Sequence, residues 1–232
     1  MSHETSAPAT EPRAQGIAPV ETSAEAPPSA RAERGEQKYA QVLAGAREVF
    51  LASGFEGASV DDIARTAGIS KATLYRHFPD KAALFSAVVI HECKRQADHH
   101  PEIDCVAGPL AELLLRVARD TLDFGLSDFG QSIYRIVVAE SERFPHIGAS
   151  FYQSGILRNR HRLAPVLAAA AARGELASDI DPDYAAMVFF AICGVDMFHR
   201  RLFSVGADPT PEEHEAEVRR AVRTCLDAFG QR

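Results

Sequence analysis

Two short helical segments on either side of a tight turn constrain this chain more than any other feature. The first begins at Ser59 and reads Ser-Val-Asp-Asp-Ile-Ala-Arg-Thr-Ala67. The second is Ser70-Lys-Ala-Thr-Leu-Tyr-Arg-His-Phe78, followed by Pro79-Asp-Lys81. Ser59 and Ser70 both stand where a helix N-cap belongs, and Asp62 lies three residues beyond Ser59, as in a capping box. Gly68 supplies the residue that can take a positive φ in the turn between them. Leu74 and Phe78, four apart, meet on the core side of the second helix. The same spacing turns Lys71, Ala72, Tyr75 and Arg76 outward. Pro79 stops that helix and Asp80 caps the next. The pattern predicts a helix-turn-helix, a unit that lays its second helix in the DNA major groove.

The remaining elements also read as helices. A first helix over about residues 37–53 places Tyr39, Val42, Leu43, Ala46 and Phe50 on one apolar face and ends at Gly54. After Asp80, Leu84, Phe85, Val88 and Val89 line a helix running to about residue 99. Leu110, Leu113, Leu114, Val117, Ala118 and Thr121 form the next stripe, and two further helices are predicted over 131–143 and 150–173. Asp181-Pro-Asp183 is a strong start signal and opens a helix over 183–202 that is apolar nearly all round. Thr210-Pro-Glu-Glu213 is a second capping box, opening a last helix to about Phe229. No strand alternation appears. The expected class is all-α, with a disordered tail at 1–35, a helix-turn-helix domain at 36–82 and a larger helical domain at 83–232. The tail expectation rests on its Ala, Pro, Ser, Thr and Glu content, which offers too little apolar surface to offset the entropy of ordering. Arg31 and Arg34 stand at its end and read either as a minor-groove arm or as solvated charges.

Charge decides what kind of nucleic-acid binding is feasible. The net charge of the 232 residues is −7. Residues 1–35 carry −2, residues 36–82 balance to zero, and the remainder carries −5. Residues 70–81 alone hold three cations against Asp80. An acidic chain with one cationic element suits site-specific binding, whereas bulk coating of DNA needs many neutralised phosphates. The four cysteines, at 93, 105, 193 and 225, form no CxxC pair and read as reduced thiols. No run approaches the roughly 18 apolar residues of a membrane span, and the N-terminus lacks an apolar signal core. The expected location is the cytoplasm.

Residues 38–85 resemble the DNA-binding domain of the tetracycline-repressor (TetR) family. The likeness rests on Ala46-Arg-Glu-Val-Phe50, Gly54-Phe-Glu-Gly57, Ser59-Val-Asp-Asp-Ile-Ala64, Ala67-Gly-Ile-Ser-Lys-Ala-Thr-Leu-Tyr-Arg-His-Phe78 and Asp80-Lys-Ala-Ala-Leu-Phe85. Tyr134-Arg-Ile-Val-Val-Ala-Glu-Ser-Glu-Arg-Phe-Pro145 looks like the AefR type of C-terminal domain. The resemblance implies a role for each matching residue. Ser59 would cap its helix and donate to a phosphate. Lys71 and Ala72 would face base edges, the first toward guanine and the second toward a thymine methyl. Thr73, Tyr75 and His77 would touch phosphates. Lys81, beside the free N–H groups of the following helix, would hold a phosphate with them. Arg76 is open between phosphate, base and solvent. Each has a plainer alternative: Tyr75 as a cap on the core, His77 bonded to a carbonyl, the lysines merely solvated.

The resemblance further implies a homodimer through the last two helices, a pseudo-palindromic operator and a small-molecule effector, with repression relieved by a small apolar ligand. The all-round apolar helix argues separately for pairing with a symmetry mate. Candidate effector-lining residues are Phe124, Phe129, Ile133, Tyr134, Val137, Phe151 and Tyr152, with Glu140 as a polar anchor. Their alternative is ordinary core packing, with Glu140 paired to Arg143 or another arginine. The sequence calls for no cofactor. A metal- or redox-responsive regulator is the competing reading, because His91, Cys93, His99, His100, Asp104 and Cys105 crowd one stretch, although their spacing matches no closed zinc pattern. An enzyme is disfavoured: there is no nucleophile elbow, phosphate loop or HExxH helix.

Overall fold

A computed structural model describes residues 30–98 and 108–231, with side chains over 35–96 and 108–231. Of the expected tail, residues 1–29 lie outside the described residues, whereas residues 30–35 already belong to the first helix, so the disorder expected there is corrected. The side chains of Arg31 and Arg34 lie outside the description, as do His99, His100, Asp104 and Cys105. Every regular element among the described residues is helical.

The first four helices are α1 (Ala30–Gly57), α2 (Val60–Thr66), α3 (Lys71–His77) and α4 (Lys81–Asp98). α1 buries Val42, Leu43, Ala46, Val49 and Phe50. It kinks at Gly54 (φ 68°, ψ −176°) and makes one more turn to Gly57. The predicted caps form: the Asp62 N–H donates to Ser59 Oγ at 3.0 Å, and the Thr73 N–H to Ser70 Oγ at 3.1 Å. The turn between α2 and α3 closes through the Gly68 N–H to the Arg65 carbonyl and the Ile69 N–H to the Ala64 carbonyl. Phe78 leaves α3 in the extended conformation (φ −134°, ψ 121°) that a following proline imposes. Asp80 then caps α4 by accepting from the Ala83 N–H at 2.7 Å.

Among the described residues seven α-helices follow: α5 (Leu110–Leu126), α6 (Asp128–Glu140), α7 (Pro145–Phe151), α8 (Arg158–Ala172), α9 (Pro182–Ile192), α10 (Val195–Leu202) and α11 (Pro211–Phe229). Three sequence expectations need correction here. α6 starts three residues before the predicted 131, because Ser127 caps it by accepting from the Gly130 N–H at 2.9 Å. The helix expected over 150–173 starts at Pro145 and is interrupted by a π-helical stretch, Tyr152–Leu157, before α8. The single helix expected over 183–202 is two, α9 and α10, broken at Cys193-Gly194. Gly194 sits at φ 69°, and a Cβ there would run into the Leu122 side chain, so glycine is required both for the backbone and for the contact with α5.

Two hydrophobic cores result among the described residues. One joins α1–α4 to Phe129, Ile133, Ile136 and Val137 of α6 and Ile147 of α7. The other lies among α5, α8, α9 and α11, around Leu114, Leu163, Leu167 and Phe189. α4 packs on both α1 and α7. The helix-turn-helix therefore rests on the same core as α6 and α7.

Candidate nucleic-acid interface and effector region

α3 presents its site through simple periodicity. Leu74 is 1% exposed and Phe78 5%, which anchors one side of the helix to the core. Lys71, Ala72, Tyr75, Arg76 and His77 are exposed on the other, Tyr75 at 48%. The turn into α3 comes very close to α1: a Cβ on Gly45 would lie 2.8 Å from the backbone of Ala67. Only glycine at position 45 lets α1 seat the helix pair at this depth.

The predicted DNA-contact residues are not equally available. Lys71 pairs with Asp61 of α2 at 2.9 Å, and the hydrogen bond to that carboxylate raises its pKa above the ordinary lysine value. The Ser59 hydroxyl donates to the Asp62 carboxylate at 2.6 Å, which lowers the Asp62 pKa; Arg65 assists. The Thr73 hydroxyl lies 2.8 Å from Ser70 Oγ. His77 sits edge-on to Tyr39 at 6.3 Å, and Tyr39 stacks on Phe78 at 5.6 Å. Sequence periodicity places Tyr39 on a buried face, yet it is 40% exposed and flanks α3. Lys81 differs most from expectation. Its ammonium donates to the carbonyls of Phe55, Ala58 and Glu56 at 2.6, 3.1 and 3.3 Å and lies 4.6 Å from the Phe55 ring centre. All three of its donors point back into the α1–α2 junction.

A second charged cluster is not legible in the sequence, because it joins α4 to an arginine of α1 far away along the chain. Glu92 of α4 is 5% exposed. Arg95 donates to it at 2.9 and 3.2 Å, Arg47 Nε of α1 lies 3.4 Å away, and His91 Nδ1 lies 3.6 Å away. The Arg47 guanidinium also covers the Phe129 ring of α6 at 4.4 Å.

Five of the predicted effector residues share one core. Phe129, Ile133 and Val137 are buried in the core that carries the helix-turn-helix, with Phe124 and Phe151 against it. Phe124 meets Phe129 edge-on at 6.2 Å, and Tyr134 meets Phe151 at 6.2 Å and Phe198 at 5.0 Å. Tyr152 is half exposed on the π-helical stretch. Glu140 is buried at the end of α6, and Arg143, its suggested partner, pairs instead with Glu56 at 2.6 Å. A cleft of about 370 Å³ opens elsewhere, between α6, α10 and residues 203–209. Gln131, Arg135 and Arg200 line it, none of them singled out by sequence periodicity.

Among the described residues no three metal-ligating side chains converge. Burial raises the Cys93 pKa to about 11, the Cys193 pKa to about 12 and the Cys225 pKa to about 11, so these thiols are held protonated and unreactive.

Known proteins place this geometry. Residues 42–88 match the domain described as bacterial regulatory proteins, tetR family, and residues 112–231 match the AefR-like transcriptional repressor, C-terminal domain. The solved structure of the flavonoid-responsive regulator FrrA is 33% identical, with a TM-score of 0.71 over 85% of this chain and 99% of that one. A TetR-family structure from Mesorhizobium loti MAFF303099 is 25% identical, with a TM-score of 0.78 over 85% and 99%. The regulator TtgR of Pseudomonas putida is 28% identical over 203 residues, 84% of this chain and 92% of its own. With the exposed α3 face, the paired caps and matches that together cover most of the described chain, this protein is a helix-turn-helix transcriptional regulator of the TetR family with an AefR-like C-terminal domain.

Proposed function

We propose that this regulator represses transcription as a homodimer on a pseudo-palindromic operator and releases it when a small, largely apolar aromatic effector binds the C-terminal domain. The carrying observation is the exposed face of α3, fixed to the core by Leu74 and Phe78. On it, Lys71 and Ala72 read base edges, with Arg76 beside them. Ser59, Thr73, Tyr75 and His77 hold phosphates. Lys81 acts one step back: its ammonium fixes the α1–α2 junction, and the N-terminus of α4 is left to meet a phosphate through backbone N–H groups. Repression is supported by the AefR-like repressor match, and an aromatic effector by the flavonoid response of FrrA. Such an effector would act by preferring a dimer whose recognition helices are wrongly spaced, weakening operator binding only by its differential affinity for that geometry. Phe124, Phe129, Ile133, Tyr134, Val137, Glu140, Phe151 and Tyr152 are the proposed packing that it would disturb. Pairing through α9, α10 and α11 is supported by exposed Tyr184, Met187 and Val195. A protein with this ligand works in the cytoplasm, where the operator is.

Footprinting on genomic DNA, followed by gel shifts on the recovered site, tests the reading. Tyr75→Ala is expected to fold normally and lose at least about tenfold in operator affinity, the equivalent of one lost phosphate or sugar contact. A folded variant with unchanged affinity removes Tyr75 from the interface. If no effector or extract ever alters affinity, the release mechanism fails.

A further inference from the structure

We infer that the cleft between α6, α10 and residues 203–209 binds a small aromatic carboxylate that also carries a hydroxyl group. This deepens the reading above, on which it rests only for its regulatory consequence. At about 370 Å³ the cleft is at the low end of the range for small-molecule sites.

Gln131 sets the first requirement. It is 2% exposed and lines the cleft. Its Nε2 donates to the carbonyls of Gly125 at 2.7 Å and Phe198 at 3.4 Å. Two carbonyls on one side fix the amide orientation, because the reversed amide would set oxygen against oxygen. Oε1 is thereby turned away from them, and no group among the described residues donates to it. Buried acceptors are seldom left this way, and an O–H donor, from water or from a ligand hydroxyl, suits this position.

The arginines set the second. Arg201 is neutralised between Asp128, at 2.7 Å, and Asp208. Arg135 gives Nη2 to the carbonyls of Arg201 and Leu202, at 3.2 and 2.6 Å, which holds its guanidinium at the C-terminal end of α10. Arg200 has no ion pair among the described residues. Arg135 and Arg200, neither in an ion pair among the described residues, place two guanidinium groups on one wall, and their planar donor geometry favours a carboxylate. Met197, Val205 and Pro209 interrupt the polar lining with apolar surface suited to a ring.

Isothermal titration of the full-length protein with 4-hydroxybenzoate, benzoate and 4-hydroxybenzyl alcohol separates the terms. 4-Hydroxybenzoate is expected to bind once per subunit and at least about tenfold tighter than either analogue. Arg200→Ala changes an exposed residue. It should weaken 4-hydroxybenzoate about tenfold and leave the alcohol unaffected. Gln131→Leu should erase the preference over benzoate; if it fails to fold by circular dichroism, the Arg200→Ala result decides. Equal binding of all three compounds, no binding at millimolar concentration, or indifference to the substitutions overturns the site. Operator gel shifts run alongside keep the two ideas apart. Binding without release leaves the site standing and removes its regulatory role, whereas release by a flavonoid with no binding of 4-hydroxybenzoate does the opposite.

Discussion

Lys71 and Lys81, two cations of the same motif, have different partners. The Lys81 ammonium sits against three carbonyls at the α1–α2 junction and over the Phe55 ring. Replacing it by alanine leaves the Phe55 and Ala58 carbonyls without their donor and is expected to cost about 1–3 kcal/mol of stability, measured by urea unfolding. Operator affinity should then fall evenly across related sequences, because the junction carries no base contact. Lys71→Ala should leave stability essentially unchanged, since its pair with Asp61 is exposed. It should relax preference at one base position, and selection from randomised operators reads this directly. Asp61→Asn supplies the reverse case: it releases Lys71 and should raise operator affinity. The sequence made both lysines legible as cations on the right motif. It could not separate their roles, because the Phe55–Ala58 carbonyls that claim Lys81 are presented only once α1 kinks at Gly54.

Between elements, charge does more fastening than the sequence suggests. Glu92 ties α4 to Arg47 of α1, and Arg47 in turn covers Phe129 of α6. Glu92→Gln is expected to cost about 1–3 kcal/mol, below the full range for a broken buried pair because the Arg47 and Arg95 side chains are 35% and 46% exposed. Urea unfolding measures it, and effector-induced release of the operator should weaken with it. α5 shows a second fastening. Its N-cap Pro109 makes no side-chain cap, and the Leu110 N–H donates instead to Glu175 at 2.9 Å, across 65 positions of chain. That hydrogen bond, helped by Arg173, lowers the Glu175 pKa below its ordinary 4.5. A lowered folded pKa means that the stabilisation is complete above pH about 4.5 and disappears as pH falls through the folded value. Melting curves should therefore separate wild type from Glu175→Gln at neutral pH and bring them together in acid. Local signals such as the Thr210–Glu213 capping box were readable and form as expected. The α9–α10 break was not: a helix apolar all round has no periodicity to interrupt, and the reason for Gly194 is Leu122, far away in sequence. Gln131 and Arg135 were hidden for the same cause, since their partners are carbonyls of another helix.

For the whole molecule, the proposed dimer would convert one modest cationic helix into a specific binder. Two recognition helices one turn of DNA apart, about 34–36 Å, double the contacts without adding charge to an acidic chain. Met187→Glu on α9 is expected to yield monomers in sedimentation equilibrium at micromolar concentration and to abolish operator binding while the subunit stays folded, since Met187 is 41% exposed. Persistent dimers would move the interface elsewhere. The core that α1–α4 share with α6 and α7 has an evolutionary consequence. Phe55 meets Phe144 at 5.5 Å, and Arg47 lies on Phe129, so the DNA-reading helices are built into the body that carries them. Such a reading head cannot be exchanged as a cassette with that of a relative without repacking both sides of the seam. Substitution on the outer surface of α3, one exposed residue at a time, leaves that seam intact, and engineering of new operator preferences should follow this route.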